Sequence, residues 1–318
     1  MFRKGKDMKI VFMGTPEFAV PILSKICEEH EVILVVTQPD YYNIKKKRYE
    51  FSPVKKWAIE NGLEVFQPEK IKNDCQKILD LDVDLIVTAA YGQIISTKVL
   101  NHPKYKSINV HGSLLPKYRG GAPIQRSIIN GDDKTGITIM YMAKKMDAGD
   151  IICQKELPIL DSDTQDTMFK KLSILGSEMI LGVIMMLENN MVNPIKQDED
   201  KVSFAYNLNK EDEFVTFDKP ARDVFNQIRG LNSNPGGYFI MDGQNVKVYS
   251  SKVSDYKHDK EVGLIIKINK DSFDVSCASN TVISITEIKI PSKNKMFVRD
   301  FLNGQGKNIL TINKKLNQ

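Results

Sequence analysis

Asn109 and His111 stand two residues apart in the stretch 107–123, S-I-N-V-H-G-S-L-L-P-K-Y-R-G-G-A-P. Ile108 and Val110 suit a covered, pleated surface, so the stretch is expected to begin as a strand. Successive side chains of a strand point to opposite faces, which puts Asn109 and His111 together on one face. Two large polar groups on one face of a short strand are unfavourable unless each finds partners. Glycine, two prolines and basic residues follow at once, so the strand is expected to end in a shaped loop. The carboxyl end of a strand in an open α/β sheet is where ligands bind. An amide donor and an imidazole placed there could hold a developing oxyanion and move a proton. A lone core histidine with one satisfied hydrogen bond would leave Asn109 and the S-L-L-P turn without a reason.

A second polar motif lies at 144–151, K-K-M-D-A-G-D-I. Either Asp147 or Asp150 could be a turn former, the default role for Asp near Gly. Either carboxylate could instead meet His111, favour its charged form and fix its tautomer. Asn, His and Asp would then act as one donor, one acid/base and one orienter. No serine or cysteine is placed as an obvious nucleophile, which argues for direct transfer between two bound substrates. The first turn, G-T-P-E-F-A, is not G-x-G-x-x-G, and no G-x-x-x-x-G-K-[ST] occurs, so no nucleotide-cofactor site is expected.

The elements that must position these groups alternate. Strands are expected at 9–13, 32–37, 65–66, 84–89, 108–111 and 136–142. Helices are expected at 18–27, 54–60 and 124–129, with a long amphipathic one at 164–191. Ser52 and Pro53 fit the N-cap and first position of the second helix. This alternation predicts an α/β fold with a Rossmann-like, mostly parallel sheet. The polar, aperiodic stretch 193–202 reads as a linker between a catalytic domain at 1–192 and a second domain at 203–318. In that second domain one short helix at 223–231 precedes short β-like runs at 238–241, 246–248, 262–268, 273–275 and 282–290. They predict a small β-barrel, OB-like, a fold that often binds nucleic acid.

The chain has 318 residues, 42% hydrophobic and 27% charged, as expected for a soluble globular protein. No apolar run is long enough to span a bilayer. The start, 1–7, is basic without the apolar core of a signal peptide and reads as a ragged leader. Four cysteines are scattered without a C-x-x-C pair, so neither zinc nor a disulfide framework is expected, and reduced thiols fit a cytoplasmic protein. Net charge is +5, and residues 276–318 alone carry seven Lys or Arg against Glu287 and Asp300. A second basic cluster, Lys45-Lys46-Lys47-Arg48, lies far away. One such run is ordinarily a solvated surface; two beside a polar site favour a polyanionic partner.

These motifs together resemble the methionyl-tRNA formyltransferases over nearly the whole chain, within the formyltetrahydrofolate-dependent formyltransferases. The resemblance rests on F-M-G-T-P-E-F-A-V-P at 12–21, V-V-T-Q-P-D at 35–40, S-P-V-K at 52–55 and A-A-Y-G-Q-I-I at 89–95. It continues through I-N-V-H-G-S-L-L-P-K-Y-R-G-G-A-P-I-Q-R at 108–126 and T-G-I-T-I-M…M-D-A-G-D at 135–150. It implies Asn109, His111 and Asp147 as the catalytic set, with no metal. It implies a 10-formyltetrahydrofolate site lined by Ser113, Leu114, Leu115 and Pro116, with backbone groups offered by the turn Ala90-Tyr91-Gly92 and the loop 142–147. It implies initiator methionyl-tRNA as partner, met by Lys45, Lys46, Lys47 and Arg48, and a monomer without membrane attachment. The sequence departs from the family at Tyr41, where an Arg is usual, and at N-S-N-P-G, 232–236, where N-P-W-P-G is common.

Two other readings have features to test. A sugar-nucleotide or glycinamide-ribotide N-formyltransferase would share the catalytic set, but its small acceptor gives no reason for the second domain and the basic run. A non-catalytic RNA-binding protein would explain the basic residues but not the polar face of a buried strand.

Overall fold

The computed structural model describes residues 8–44, 46–304 and 306–318; Lys45 of the basic run and the leader 1–7 lie outside the described residues. In chain order the first elements are β1 (Lys9–Gly14), α1 (Val20–Cys27), β2 (Glu31–Val36), β3 (Tyr41–Asn43), β4 (Arg48–Glu50) and α2 (Pro53–Glu60). Then come β5 (Val65–Phe66), α3 (Gln76–Leu79), β6 (Leu85–Ala89), α4 (Thr97–Leu100), β7 (Ser107–His111) and α5 (Pro123–Ile129). They are followed by β8 (Lys134–Tyr141), β9 (Ile151–Pro158), α6 (Gln165–Glu188) and α7 (Ala221–Gly230). The chain closes with β10 (Gly237–Met241), β11 (Gln244–Ser254), β12 (Ile265–Ile268), β13 (Phe273–Ser276), β14 (Val282–Lys289), β15 (Met296–Phe297), α8 (Val298–Leu302) and α9 (Gly306–Ile309).

Two compact units result. The first runs to Pro123 and adds Lys134–Pro158 and Phe169–Tyr206. Its seven-stranded sheet has the order β5-β2-β1-β6-β7-β8-β9. The first five strands are parallel, and β8 and β9 are antiparallel to their neighbours. This is the Rossmann-like sheet expected from the alternation of elements. One face is packed by Val11, Met13, Leu34, Val36 and Ile86 with Ile78, Val99 and Leu100 of the short helices. On the other, Gly176 of α6 lies close enough to Val110 and Ile22 that an added Cβ would meet both. Ser52 caps α2 as its sequence suggests, accepting from the Lys55 N–H at 3.0 Å, with Pro53 in the first turn.

Several elements were not visible in the sequence, among them the short helices α3, α4, α8 and α9, and the strands β9, β3 and β4. β9 has three consecutive exposed residues and no clean alternation. β3 and β4 form an antiparallel hairpin with Tyr42 opposite Tyr49. Nor is 193–202 a loose tether. Ile195 bridges Ile151 with two backbone hydrogen bonds at 2.8 Å, and Gln197 is buried. Polar side chains rather than a periodic apolar face hold this stretch, which is why it reads as a linker.

The second unit comprises Asn207–Gln318 together with Ile124–Asp133 and Ile159–Met168, two stretches that lie within 1–192. Its antiparallel sheet has the order β10-β11-β14-β13-β12, with β15 beside β14. The gap between β12 and β10 is bridged by the end of the chain. Ile265 exchanges backbone hydrogen bonds with Lys314 and Asn313, Gly263 accepts from Leu316, and Ile240 accepts from Asn317. Asn317 also accepts from the Ile240 N–H at 2.8 Å and donates to the Val215 carbonyl at 3.0 Å. Phe239, Phe273, Val275, Ile285, Phe301 and Leu316 fill the interior. The basic tail is therefore part of the fold, with Lys314 paired to Asp242 and Lys315 to Glu261. Among the described residues no helix is long and apolar enough to cross a membrane.

Closure by these last residues has a measurable consequence. Leu316→Ala removes a buried anchor and is expected to cost about 2–5 kcal/mol in denaturant unfolding. It should also speed hydrogen exchange at the Ile240 and Ile265 amides; unchanged protection there would mean the sheet does not depend on this closure.

Candidate active site

β7 supplies the first two groups. It lies between β6 and β8, with Asn109 opposite Thr88 and Met140 and His111 opposite Thr138. The Thr88 hydroxyl donates to Asn109 Oδ1 at 2.7 Å. That bond occupies the amide oxygen and turns the Nδ2 donor the other way. Thr88 is a polar, β-branched residue in an otherwise apolar strand, the one sequence signal for this role.

His111 is 6% exposed, and its Nε2 lies 2.9 Å from the Tyr118 carbonyl. A carbonyl can only accept, so Nε2 carries a proton. The other nitrogen, Nδ1, faces Asp147 Oδ2 at 3.8 Å, an ion-pair distance when the ring is charged. The tautomer is thus set by a backbone carbonyl and not, as the motif suggests, by the aspartate. Asp147 Oδ2 accepts from the Gly120 N–H at 2.8 Å. Asp150 is exposed, so of the two carboxylates Asp147 is the one beside His111.

The loop after β7 is shaped for this. Tyr118 has φ +63° and Gly120 φ +125°, and a Cβ on Gly120 would stand 2.6 Å from the Ala205 carbonyl, so only glycine fits. Asp147 itself has φ +49°, a conformation Asp tolerates better than most residues. Gly149 follows because a Cβ there would come within 1.8 Å of the Tyr141 carbonyl.

Behind Asp147 lies a network that its sequence did not announce. Gln197 Nε2 donates to the carbonyls of Asp147 and Gly149, at 2.8 and 2.7 Å. Gln197 Oε1 in turn accepts from Arg119 Nε and Nη2, at 3.0 and 2.8 Å. Arg119 is 0% exposed and ion-paired to Glu199, which also meets Lys145. The two cations hold the Glu199 carboxyl down to about 2, through its bond to Arg119 first.

The other expected residues are placed as follows. The Ser113 hydroxyl donates to the Lys117 carbonyl at 2.7 Å, and Leu115 packs with Met140 and Ile151. Thr138 and Gln154 bind the backbone of Ser113 and Leu115, so the turn is rigid; Leu114 and Pro116 are half-buried. The Tyr91 carbonyl accepts from Thr15 and Gln38, at 2.9 and 3.1 Å. This lies where the strand order reverses between β1 and β6, the crevice in which such sheets bind ligands. Burial pushes the Tyr91 phenol up to about 12, and among the described residues its buried hydroxyl has no hydrogen-bond partner. Ala90, at φ +49°, and Gly92, at φ +87°, flank it and leave their backbone at the turn's surface.

Lys46 and Lys47 occupy the tip of the β3–β4 hairpin and Arg48 begins β4. Glu50 organises it, meeting Lys46 at 2.5 Å, Tyr41 at 2.8 Å and Asn43 at 3.0 Å. Its bonds to Lys46, Asn43 and Tyr41, in that order, hold the carboxyl down to about 2. Asp40 pins the hairpin's base through Lys55 and Gln67.

Residues 8–184 match the formyl transferase family, and residues 207–306 match the formyl transferase C-terminal domain. Two proteins named methionyl-tRNA formyltransferase are each 44% identical to this chain. The one from Pediococcus pentosaceus aligns over 94% of this chain and 95% of its own length, the one from Staphylococcus aureus over 97% and 99%. An N-formyltransferase from Helicobacter canadensis, solved with folinic acid and dTDP-3-aminofucose, superposes with a TM-score of 0.69. At 20% identity, over 87% of this chain and 98% of that one, the likeness concerns the fold.

The network behind Asp147 gives a discriminating substitution. Gln197→Glu keeps an acceptor for Arg119 but turns a donor into an acceptor facing two carbonyls. Turnover is expected to fall on the order of 10- to 100-fold, the effect of misplacing a reacting group by about 1 Å, with folding retained. Unchanged turnover would mean that Gln197 does not position Asp147.

Proposed function

Because the chain belongs to the methionyl-tRNA formyltransferase family, we propose that Asn109, His111 and Asp147 carry the transfer of a formyl group. The donor is 10-formyltetrahydrofolate, the acceptor is the α-amine of methionine esterified to initiator tRNA, and the reaction runs in the cytoplasm. The neutral amine attacks the formyl carbon, and a nitrogen–carbon bond forms as the carbonyl electrons move to oxygen. Asn109 Nδ2 and the protonated Nδ1 of His111 stabilise that oxyanion. Collapse breaks the bond to the folate nitrogen, which takes up the proton lost by the amine. Asp147 stabilises the positive ring and helps a water carry that proton. Preorganised donors of this kind are worth roughly 3–4 kcal/mol each, and alignment of the two substrates supplies much of the rest.

The observation that carries this reading is the orientation of the donors. Thr88 occupies the oxygen of Asn109, and Tyr118 occupies Nε2 of His111, at 2.7 and 2.9 Å. What remains to meet a substrate is the amide N–H of one and Nδ1 of the other. The backbone of Ala90 and Gly92, the loop 142–147 and the turn of Ser113, Leu114, Leu115 and Pro116 would receive the folate. For Ser113 the contribution would be shape, since its hydroxyl holds Lys117. The acceptor's phosphates would meet Lys46, Lys47 and Arg48, with Lys45 beside them in sequence. Lys47 makes no ion pair among the described residues, whereas Lys46 and Arg48 share Glu50.

Formyl transfer from labelled folate, with methionyl-tRNA, sugar amines or no acceptor, tests the reading. Transfer only to sugar amines would replace it. Asn109→Ala and His111→Ala are each expected to lower turnover about 100-fold or more with little change in folate affinity. Asp147→Asn should also lower turnover, and Asp150→Asn should not; the reverse would reassign the carboxylate. Changing Lys46, Lys47 and Arg48 together to Ala should weaken tRNA binding and flatten its salt dependence. The slope should fall by about 0.9 for each duplex phosphate that is no longer neutralised, or about 0.7 for a single-strand phosphate. An unmoved slope would make the hairpin cations a merely solvated surface.

A further inference from the structure

The segment 203–206 follows the Gln197 network and runs beside the loop that holds His111 and Asp147. The Arg119 N–H donates to the Ser203 carbonyl at 2.9 Å, the Ala205 N–H to the Arg119 carbonyl at 2.8 Å, and the Ala122 N–H to the Ala205 carbonyl at 3.0 Å. Phe204 pairs with Arg119 as in a parallel bridge, and the Tyr118 N–H donates to Ser203 Oγ at 3.0 Å. Alternation then decides where the side chains go. Ala205 is fully buried, while Phe204 and Tyr206 point outward, 52% and 72% exposed. Their rings stack nearly parallel, with centroids 5.8 Å apart and an interplanar angle of 14°.

Outward positions of a strand at a protein surface ordinarily carry polar side chains. Two stacked aromatic rings held there by a rigid backbone are a preformed flat surface, and flat aromatic surfaces take flat partners. The rings are rooted one strand spacing, about 4.8 Å, from the backbone whose Gly120 N–H holds Asp147. Exposed cations lie on the two loops that carry Tyr118 and Asp147, Lys117 after the S-L-L-P turn and Lys144 just before Asp147. Neither forms an ion pair among the described residues. Exposed stacked rings rooted against the loop of a site that acts on the end of a chain, with cations on that site's loops, are the recognition chemistry of an unpaired nucleotide.

We propose that Phe204 and Tyr206 form a stacking platform for the base of the unpaired terminal nucleoside that carries the aminoacyl ester. This rests on the reading of the acceptor as an aminoacyl-tRNA. The platform fixes the terminal ribose, and through the ester the amine, relative to Asn109 and His111. Base stacking tolerates any base, so the platform would contribute affinity and placement, not choice among tRNAs.

The test uses the full-length protein and two chemically aminoacylated acceptors that differ only at the terminal nucleoside, one with its base and one abasic. Loss of base stacking should raise KM about 5- to 150-fold for the abasic acceptor with the unaltered protein, the range that stacking energies of about 1–3 kcal/mol give. Phe204→Ala and Tyr206→Ala should raise KM for the normal acceptor by a similar factor and leave KM for the abasic acceptor nearly unmoved. Phe204→Tyr and Tyr206→Phe, which keep the rings, should restore the normal value. Equal KM for the two acceptors on the unaltered protein would overturn the proposal, and this arm does not depend on any variant folding. Equal loss on both acceptors in the Ala variants would also overturn it, since the rings would then act through the fold. Failure of the unaltered protein to formylate either acceptor would instead overturn the reading of the acceptor itself.

Discussion

Two backbone groups, two residues apart, hold the imidazole and the carboxylate of the site. The Tyr118 carbonyl accepts from the Nε2–H of His111 and the Gly120 N–H donates to Asp147 Oδ2, at 2.9 and 2.8 Å. A carbonyl and an amide do not titrate and cannot rotate independently, so the imidazole and the carboxylate are fixed relative to each other whatever their charge. Much of the first unit can be understood as support for this short clamp. Positive φ at Tyr118 and Gly120 aims the two groups, segment 203–205 pairs with the loop from one side, and Gln197 holds the backbone of Asp147 from another. Strained φ values of this kind persist only where the surroundings over-determine them.

The cations divide by environment. Arg119 is buried and bonded through two of its nitrogens to Gln197 and Glu199, and acts by holding the chain. Removing one partner of such a buried arrangement is costly because the remaining charge is stranded. The hairpin cations stand at the surface, where ion pairs are weak and screened. There Glu50 gathers Lys46, Tyr41 and Asn43 and gives the hairpin its form, so that its positive tip is presented and not collapsed. Tyr41 is part of this device: its hydroxyl donates to Glu50.

Much of this arrangement could be read from residue order, for physical reasons. Strand alternation brings Asn109 and His111 to one face, and the Ser52-Pro53 pair marks the start of α2 without any tertiary information. Parallel strands separated by helices give the sheet. What escaped were features made by long-range polar contacts. Gln197 lies 50 residues from the Asp147 carbonyl it holds, in a stretch with no apolar period. Closure of the second sheet by Asn317 spans 77 residues to Ile240. The β3–β4 hairpin lacks an Asn-Gly or Asp-Gly turn, and its run of lysines conceals the Tyr42–Tyr49 cross-strand pair. The choice between Asp147 and Asp150 likewise depended on which carboxylate the loop turns toward His111, since both lie within two residues of Gly149.

The central claim is that the Tyr118 carbonyl fixes the proton of His111 on Nε2 and leaves Nδ1 to face Asp147 and the substrate. Nitrogen-15 NMR of histidine-labelled protein reads this directly, with His111 assigned by the loss of its signals in His111→Gln. For the neutral ring, a protonated Nε2 with slowed proton exchange and an unprotonated Nδ1 are predicted. A neutral ring protonated on Nδ1, or a rapidly exchanging mixture of the two tautomers, would contradict the claim.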